Sequence, residues 1–206
     1  MVSYTLLIYE FSTLKQHYRL FVSLFAIITI FVFITEFSRN KIRFFQICFN
    51  SIDRPEDRPK TLFWLSTQTF AGYLILTFSY IAFYYSGVPI NLLYLTILAV
   101  TIGDGIAEPI GIKFGKRKYL VSGFYDQRLY YRTLEGSLAV YLVSLILCYY
   151  FASFFNLYGF ILLLIFYPIA ITLVEAKSPH TWDTPFLFLT GNFLVMSIVL
   201  IQKYFI

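Results

Sequence analysis

The residues able to do chemistry gather in a few short stretches of this 206-residue chain. The densest is Gly103-Asp104-Gly105-Ile106-Ala107-Glu108-Pro109-Ile110-Gly111-Ile112-Lys113-Phe114-Gly115-Lys116-Arg117-Lys118, which holds four of the ten glycines, two acids and four bases. Glycines let a ligand approach the backbone, and exposed N–H groups can hold phosphate oxygens. On a helix, Asp104 and Glu108 share one face. Two carboxylates beside phosphates suit Mg²⁺, a hard cation that prefers oxygen. Lys116, Arg117 and Lys118 would then meet the phosphate charge. A plainer reading uses the same residues for close helix packing and a topology anchor. A P-loop mechanism is excluded, because GxxxxGK[ST] is absent.

A second stretch, Arg132-Thr133-Leu134-Glu135-Gly136-Ser137, opens an apolar run. Thr133 can cap a helix there and Glu135 suits the dipole, yet a helix start is equally an anion site. The third, from Glu175 through Lys177, His180 and Asp183 to Pro185, packs four kinds of titratable group into one short loop. Its prolines account for a turn and a helix start, but not for the charges. A fourth, around Glu36, Arg39 and Arg54-Pro55-Glu56-Asp57-Arg58-Pro59, has the mixed charge of a solvated turn.

The elements that must position these groups follow from composition. Hydrophobic residues make up 59% of the chain and charged residues 13%, with a mean hydropathy of +0.72. A soluble domain carries about 25% charge, so the class is integral membrane. Twenty-four Phe and 18 Tyr suit lipid-facing surfaces and interfacial belts. The net charge of +5 comes with too little polar surface for a nucleic acid, and points to topology or anionic headgroups. Cys48 and Cys148 lack metal-ligand spacing and read as ordinary apolar residues.

A span needs about 20 apolar residues. The pattern predicts an all-α bundle in a single domain over 1–206, with six spans near 18–35, 62–85, 91–110, 137–155, 157–175 and 185–202. Residues 1–16 would form an interfacial segment. The polar loops 37–60, 111–136 and 176–184 alternate onto one side, and they carry 13 of the 16 basic residues. The positive-inside rule makes that side cytoplasmic.

Taken in order, the segments resemble the CTP-dependent polyprenol and lipid kinases, the family of phytol, farnesol, dolichol and CTP-dependent diacylglycerol kinases. That family carries a DGxAD-like segment followed by Gly and FGK, matched by Asp104-Gly105-Ile106-Ala107-Glu108, Gly111 and Phe114-Gly115-Lys116. Its K/R-S/T-x-E-G-S segment is matched by Arg132-Thr133-Leu134-Glu135-Gly136-Ser137. Its span-ending Glu and D-N-x-x-x-P-like segment are matched loosely by Glu175 and Asp183-Thr184-Pro185. Glu36, Arg39 and Arg54-Pro55-Glu56 are similar to elements of the dolichol and diacylglycerol branches. Glu108 replaces the usual Asp, and Thr184 stands where Asn is common.

The resemblance implies a membrane kinase passing the γ-phosphate of CTP to a lipid alcohol, with Mg²⁺ held by Asp104 and Glu108. It implies catalytic roles for Asp104, Glu135, Glu175 and Asp183, any of the last three being able to take the acceptor's proton. It places the nucleotide against Gly105, Gly111, Gly115, Lys116, Arg117, Arg132, Gly136 and Ser137. The expected partners are CTP, a lipid alcohol and membrane lipids. The expected location is the plasma membrane of a prokaryote, or the endoplasmic reticulum or another endomembrane of a eukaryote. The competing functions are a phosphatidate cytidylyltransferase and a non-catalytic membrane transporter or assembly protein.

Overall fold

The structure, a computed structural model, describes residues 35–50, 53, 55, 58–124 and 128–204. The expected N-terminal segment and, but for Thr35, the first span lie outside these residues, as do Arg54, Glu56 and Asp57. The chain divides after Phe70 into two units.

In the first unit, the stretch that reads as a solvated turn contains two short helices, α1 (Glu36–Lys41) and α2 (Arg43–Asn50). The Arg39 guanidinium lies 3.7 Å from the centre of the Phe49 ring. Asp53 accepts from Thr61 Oγ1 at 2.7 Å and from Arg58 Nε at 2.8 Å. The Thr61 hydroxyl, with Arg58 and Arg39, holds its carboxyl below the usual range against the opposing effect of burial. Thr61 begins α3 (Thr61–Ser86), which crosses the division.

The second unit is a helical bundle. Past the division, α3 buries Tyr73, Leu76, Tyr80 and Phe83, the spacing of one helical stripe. A turn at Gly87, whose φ of +64° favours glycine, and a 3-10 turn at Ile90–Leu92 lead into α4 (Leu93–Phe114). Then come β1 (Lys118–Ser122), β2 (Leu129–Thr133), α5 (Leu134–Tyr150), α6 (Leu157–Lys177) and α7 (Asp183–Tyr204). Helices α4 to α7 form a closed ring of neighbours in which each packs on the next and α7 returns to α4.

Polar side chains pin the bundle. Within the ring Tyr167 Oη donates to Thr96 Oγ1 at 3.3 Å, and Asn192 Nδ2 of α7 donates to Ser79 Oγ of α3 at 3.0 Å. At one end of the bundle, Gln202 Oε1 accepts from the Asn156 amide, and Lys203 Nζ donates to the carbonyls of Ser86 and Gly87. That end holds the short links. The polar segments 111–136 and 176–184 meet at the opposite end.

Among the described residues, three helices are long and apolar enough to cross a membrane: Ile90–Phe114, Leu157–Lys177 and Asp183–Lys203. Leu142, Ile146, Ile165, Ile169, Leu173 and Phe193 remain exposed on the bundle, as hydrocarbon-facing side chains should. The other two expected spans in this region differ in kind. Helix α5 is apolar but only 17 residues long, and α3 has 26 residues but is diluted by Thr, Gln, Ser and Tyr. Cys148 is buried and both cysteines are free thiols.

Among the described residues, the departure from the expected all-α chain is the antiparallel β1–β2 hairpin, paired from Lys118–Thr133 to Ser122–Leu129. It rises from the segment that reads as a charged loop.

Candidate active site at the polar end of the bundle

Helix α4 reaches the polar end along a row of small residues. Gly103, Ala107, Gly111 and Gly115 recur every fourth position, so they form one ridge. A Cβ on Gly103 would touch Val140 at 3.5 Å, and one on Gly111 would come within 2.7 Å of Thr133 Oγ1. A Cβ on Gly115 would collide with the Gly111 carbonyl and the Thr133 side chain. From the other side, a Cβ on Gly136 would stand 2.9 Å from the Ala107 carbonyl oxygen. Three glycines expected at the nucleotide, Gly111, Gly115 and Gly136, therefore also bring α4 against the start of α5. Gly105 is different: nothing among the described residues lies within 4 Å of where its Cβ would be.

This contrast gives a stability prediction. Gly136→Ala should destabilise the protein by about 1–3 kcal/mol, the cost of overpacking a filled site. Gly105→Ala should stabilise it, by up to about 1 kcal/mol, because alanine favours the helix. Thermal unfolding in detergent checks both, and equal effects at the two positions would refute the packing account.

Asp104 and Glu108 lie one turn apart on the neighbouring, exposed strip of α4. Pro109 has no N–H to return to the Gly105 carbonyl, four residues back in the same helix. Two carboxylates and an oxygen unclaimed by the helix ladder thus belong to one turn. Among the described residues, no three His, Cys, Asp or Glu side chains converge on a point.

The start of α5 is capped as its sequence suggests, with Thr133 Oγ1 accepting from the Gly136 amide at 3.1 Å. Beside it, Glu135 receives the Arg117 amide at 3.4 Å from both carboxylate oxygens. Backbone amides, its own and those of Lys116 and Arg117, hold this exposed carboxyl below its ordinary value. An open cleft of about 450 Å³ is lined by Lys113, Phe114, Gly115, Lys116 and Glu135.

Behind the cleft, residues far apart in sequence form a buried network. Arg132 NH2 donates to Asp183 Oδ2 at 2.9 Å. Its NH1 lies 3.1 Å from Glu175 Oε1, an ion-pair distance at which the N–H direction misses good hydrogen-bond geometry. Glu175 Oε2 accepts from Ser137 Oγ at 3.1 Å, and Ser137 Oγ lies 2.7 Å from Tyr119 Oη. A serine has one hydroxyl proton, so Tyr119 is the donor to Ser137. Asp183 Oδ1 accepts from the Thr184 amide at 2.8 Å. Burial opposes the Arg132 charge, but Asp183 and Glu175 outweigh it and hold the guanidinium above its ordinary value. Burial likewise pushes the Tyr119 phenol up, against its Ser137 bond and with the Glu175 charge.

The α6–α7 loop closes over the hairpin. The His180 amide donates to the Ser122 carbonyl at 2.9 Å, and its ring stacks on Tyr130 with 4.0 Å between centroids. Trp182 stacks on Phe124 at 4.3 Å. Between them Thr181 has a φ of +69°, a strained conformation for a β-branched residue. The stacks and the His180 bond hold it there.

Among the expected site residues, Arg132, Ser137, Glu175 and Asp183 thus come together, while Glu135 and Lys116 line the cleft. Asp104, Gly105 and Glu108 occupy a separate, exposed turn. Tyr119 joins the network unexpectedly; the short aromatic and aliphatic runs Tyr119-Leu120-Val121 and Leu129-Tyr130-Tyr131 were the available signal for the strands that carry it. The fold and site define an α-helical protein with helices of membrane-spanning length and a polar, partly buried site at one end. No family model, curated protein or solved structure matches the chain.

Proposed function

We propose that this protein is an integral membrane kinase that transfers the γ-phosphate of CTP to a lipid alcohol, an isoprenoid alcohol or diacylglycerol. In this reading the bundle has six spans, with its polar end facing the cytoplasm. The observation that carries the proposal is the assembly of the resembling segments at one end of the bundle. Arg132 and Ser137 of the second stretch and Glu175 and Asp183 of the third meet in one network, beside the cleft lined by Lys116 of the first.

The residues present fit Mg²⁺ of a particular kind. A resident, fully protein-bound ion would need more ligands than Asp104 and Glu108 provide. Mg²⁺ arriving with a nucleotide needs only one or two carboxylates, the rest coming from phosphates and water. Asp104 and Glu108, with the Gly105 carbonyl between them, offer that set. When bound, the ion would draw off the charge developing on the transferring phosphate.

The chain's own work is positioning and charge. Lys116 and Arg117 meet the phosphates at the cleft. Arg132 is committed to Glu175 and Asp183, so its nucleotide role is to hold β2 and the Gly136 turn in place unless it releases a carboxylate. Glu135 stands at the cleft, where it can take the acceptor's proton. Glu175 lies behind it, reached through Ser137. The lipid alcohol approaches along the exposed apolar faces of the helices, its hydroxyl at the polar end.

The test uses purified full-length protein in detergent with Mg²⁺, a panel of lipid alcohols and CTP labelled at the α- or γ-phosphate. Transfer of γ-label alone into lipid is the expected result, and the labelled alcohol names the substrate. Transfer of α-label with pyrophosphate release would make the protein a cytidylyltransferase. Transfer from neither, without nucleotide binding, would leave a non-catalytic membrane protein.

A further inference from the structure

The β1–β2 hairpin alternates with a period of two, and its faces differ. Tyr119, Val121, Tyr130 and Arg132 are the more buried set. On the other face, Leu120 pairs with Tyr131 and Ser122 with Leu129. Leu120 is 52% exposed, Leu129 61% and Tyr131 71%. Three large side chains of this kind on a five-residue hairpin face are poorly placed in water.

Bases frame that face. From Gly111 to Leu134 the chain has six Lys or Arg and one acid, Asp126. Arg132 is engaged by Glu175 and Asp183, but Lys113, Lys116, Arg117 and Lys118 are exposed. Lys118 Nζ stands 5.9 Å from the centre of the Tyr131 ring. The depth of the hairpin is set by its roots. One is Phe114, the end of a helix of membrane-spanning length, and the other is Leu134, the start of an apolar helix. Both roots lie at the polar end of the bundle, the end at which a membrane-spanning helix meets headgroups.

We infer that the outward face of this hairpin lies in the membrane interface, with Leu120, Leu129 and Tyr131 among the acyl chains and Lys118, beside Tyr131, on anionic phospholipid headgroups. Tyrosine favours that layer, and lysine stems can cover apolar surface while their ammonium groups reach the headgroups. A basic cluster near a membrane is attracted by anionic lipid. A nucleotide would account for the bases but not for the apolar residues in register beside them. The inference stands whether or not the chain transfers phosphate.

The test places a reporter on the face of the full-length protein. Tyr131→Trp, and separately Leu129→Trp, would be reconstituted into vesicles of phosphatidylcholine alone or mixed with phosphatidylglycerol. Subtracting the parent removes the signal of Trp64 and Trp182. The expected result is quenching by lipids with a doxyl group near the headgroup, shielding from acrylamide, and strengthening of both by phosphatidylglycerol. Lys118→Gln should lower the odds of the lipid-buried state in anionic vesicles about fivefold, one basic residue's share of the attraction. Acrylamide access without doxyl quenching would overturn the inference by placing the face in water. Shielding from both quenchers that depends on protein density would overturn it in favour of contact between copies. Equal doxyl quenching in neutral and anionic vesicles would overturn it by removing the anionic partner.

Discussion

Arg132→Met should destabilise the protein by about 3–5 kcal/mol, because it leaves two buried carboxylates without their shared cation. The Arg132 side chain is 13% exposed, that of Glu175 9% and that of Asp183 13%, so water cannot replace the lost charge cheaply. The triple variant Arg132→Met, Glu175→Gln, Asp183→Asn should recover most of the loss, since neutralising the orphaned acids removes the cause. Arg132→Lys should fall between, keeping the charge but losing the fork that spans both acids. Unfolding in detergent, followed by far-UV circular dichroism, measures all three. A loss below about 1 kcal/mol for Arg132→Met, as in an exposed pair, would mean that water reaches the network. A triple variant no better than the single one would show that arginine packing, not charge balance, holds the hairpin.

The importance of this pair of contacts lies in what it joins. Arg132 is on β2, Glu175 ends α6 and Asp183 begins α7, so the ion pairs fasten the hairpin to the opposite side of the helical ring. Ser137 and Tyr119 extend the fastening to α5 and β1. The negative charges exceed the positive by one within this group. The start of α7 favours the excess, because Asp183 also accepts from the Thr184 amide, as an acid at a helix N-terminus does.

Much of this architecture is legible in the sequence, and for identifiable reasons. Helices α4, α6 and α7 are long and apolar enough to span, although Asp104 and Glu108 make α4 the weakest of the three to read, and the intervening polar loops show which helix ends lie together. The cap at Thr133 is readable from Thr-Leu-Glu-Gly because a hydroxyl, an acid and a glycine each suit one place in a first turn. The hairpin is harder to see: its aromatic and aliphatic runs are only three residues long, and six bases make the whole stretch resemble a solvated loop. The glycines carry a real ambiguity. Close packing and phosphate binding both require a missing Cβ, and only the proximity of Thr133 and Ala107 reveals that Gly111, Gly115 and Gly136 serve the first. Tyr119 could not be joined to Ser137 without knowing the strand register, which places Tyr119 opposite Arg132.

If the chain is the proposed kinase, the largest effect on activity is expected at Asp104. Asp104→Asn should lower phosphoryl transfer by about 10²-fold or more, the scale of a lost electrostatic group at a reacting centre. The substitution keeps the size of the side chain and removes only its charge, and Asp104 is exposed on α4. Insertion and unfolding temperature, measured alongside, separate a loss of fold from a loss of chemistry. Glu108 is one turn further along the same strip, so Glu108→Gln should weaken the same site rather than a second one. If both acids hold one Mg²⁺–nucleotide unit, the double variant should lose less than the product of the single losses, because groups that act together are not additive. Multiplying losses would assign the two acids to separate tasks. An Asp104→Asn enzyme keeping more than about a tenth of parental activity would remove Asp104 from the metal role. Gly105, which no described neighbour forces to be glycine, would then need another explanation, because in this reading its bare backbone beside Asp104 is what admits the phosphates.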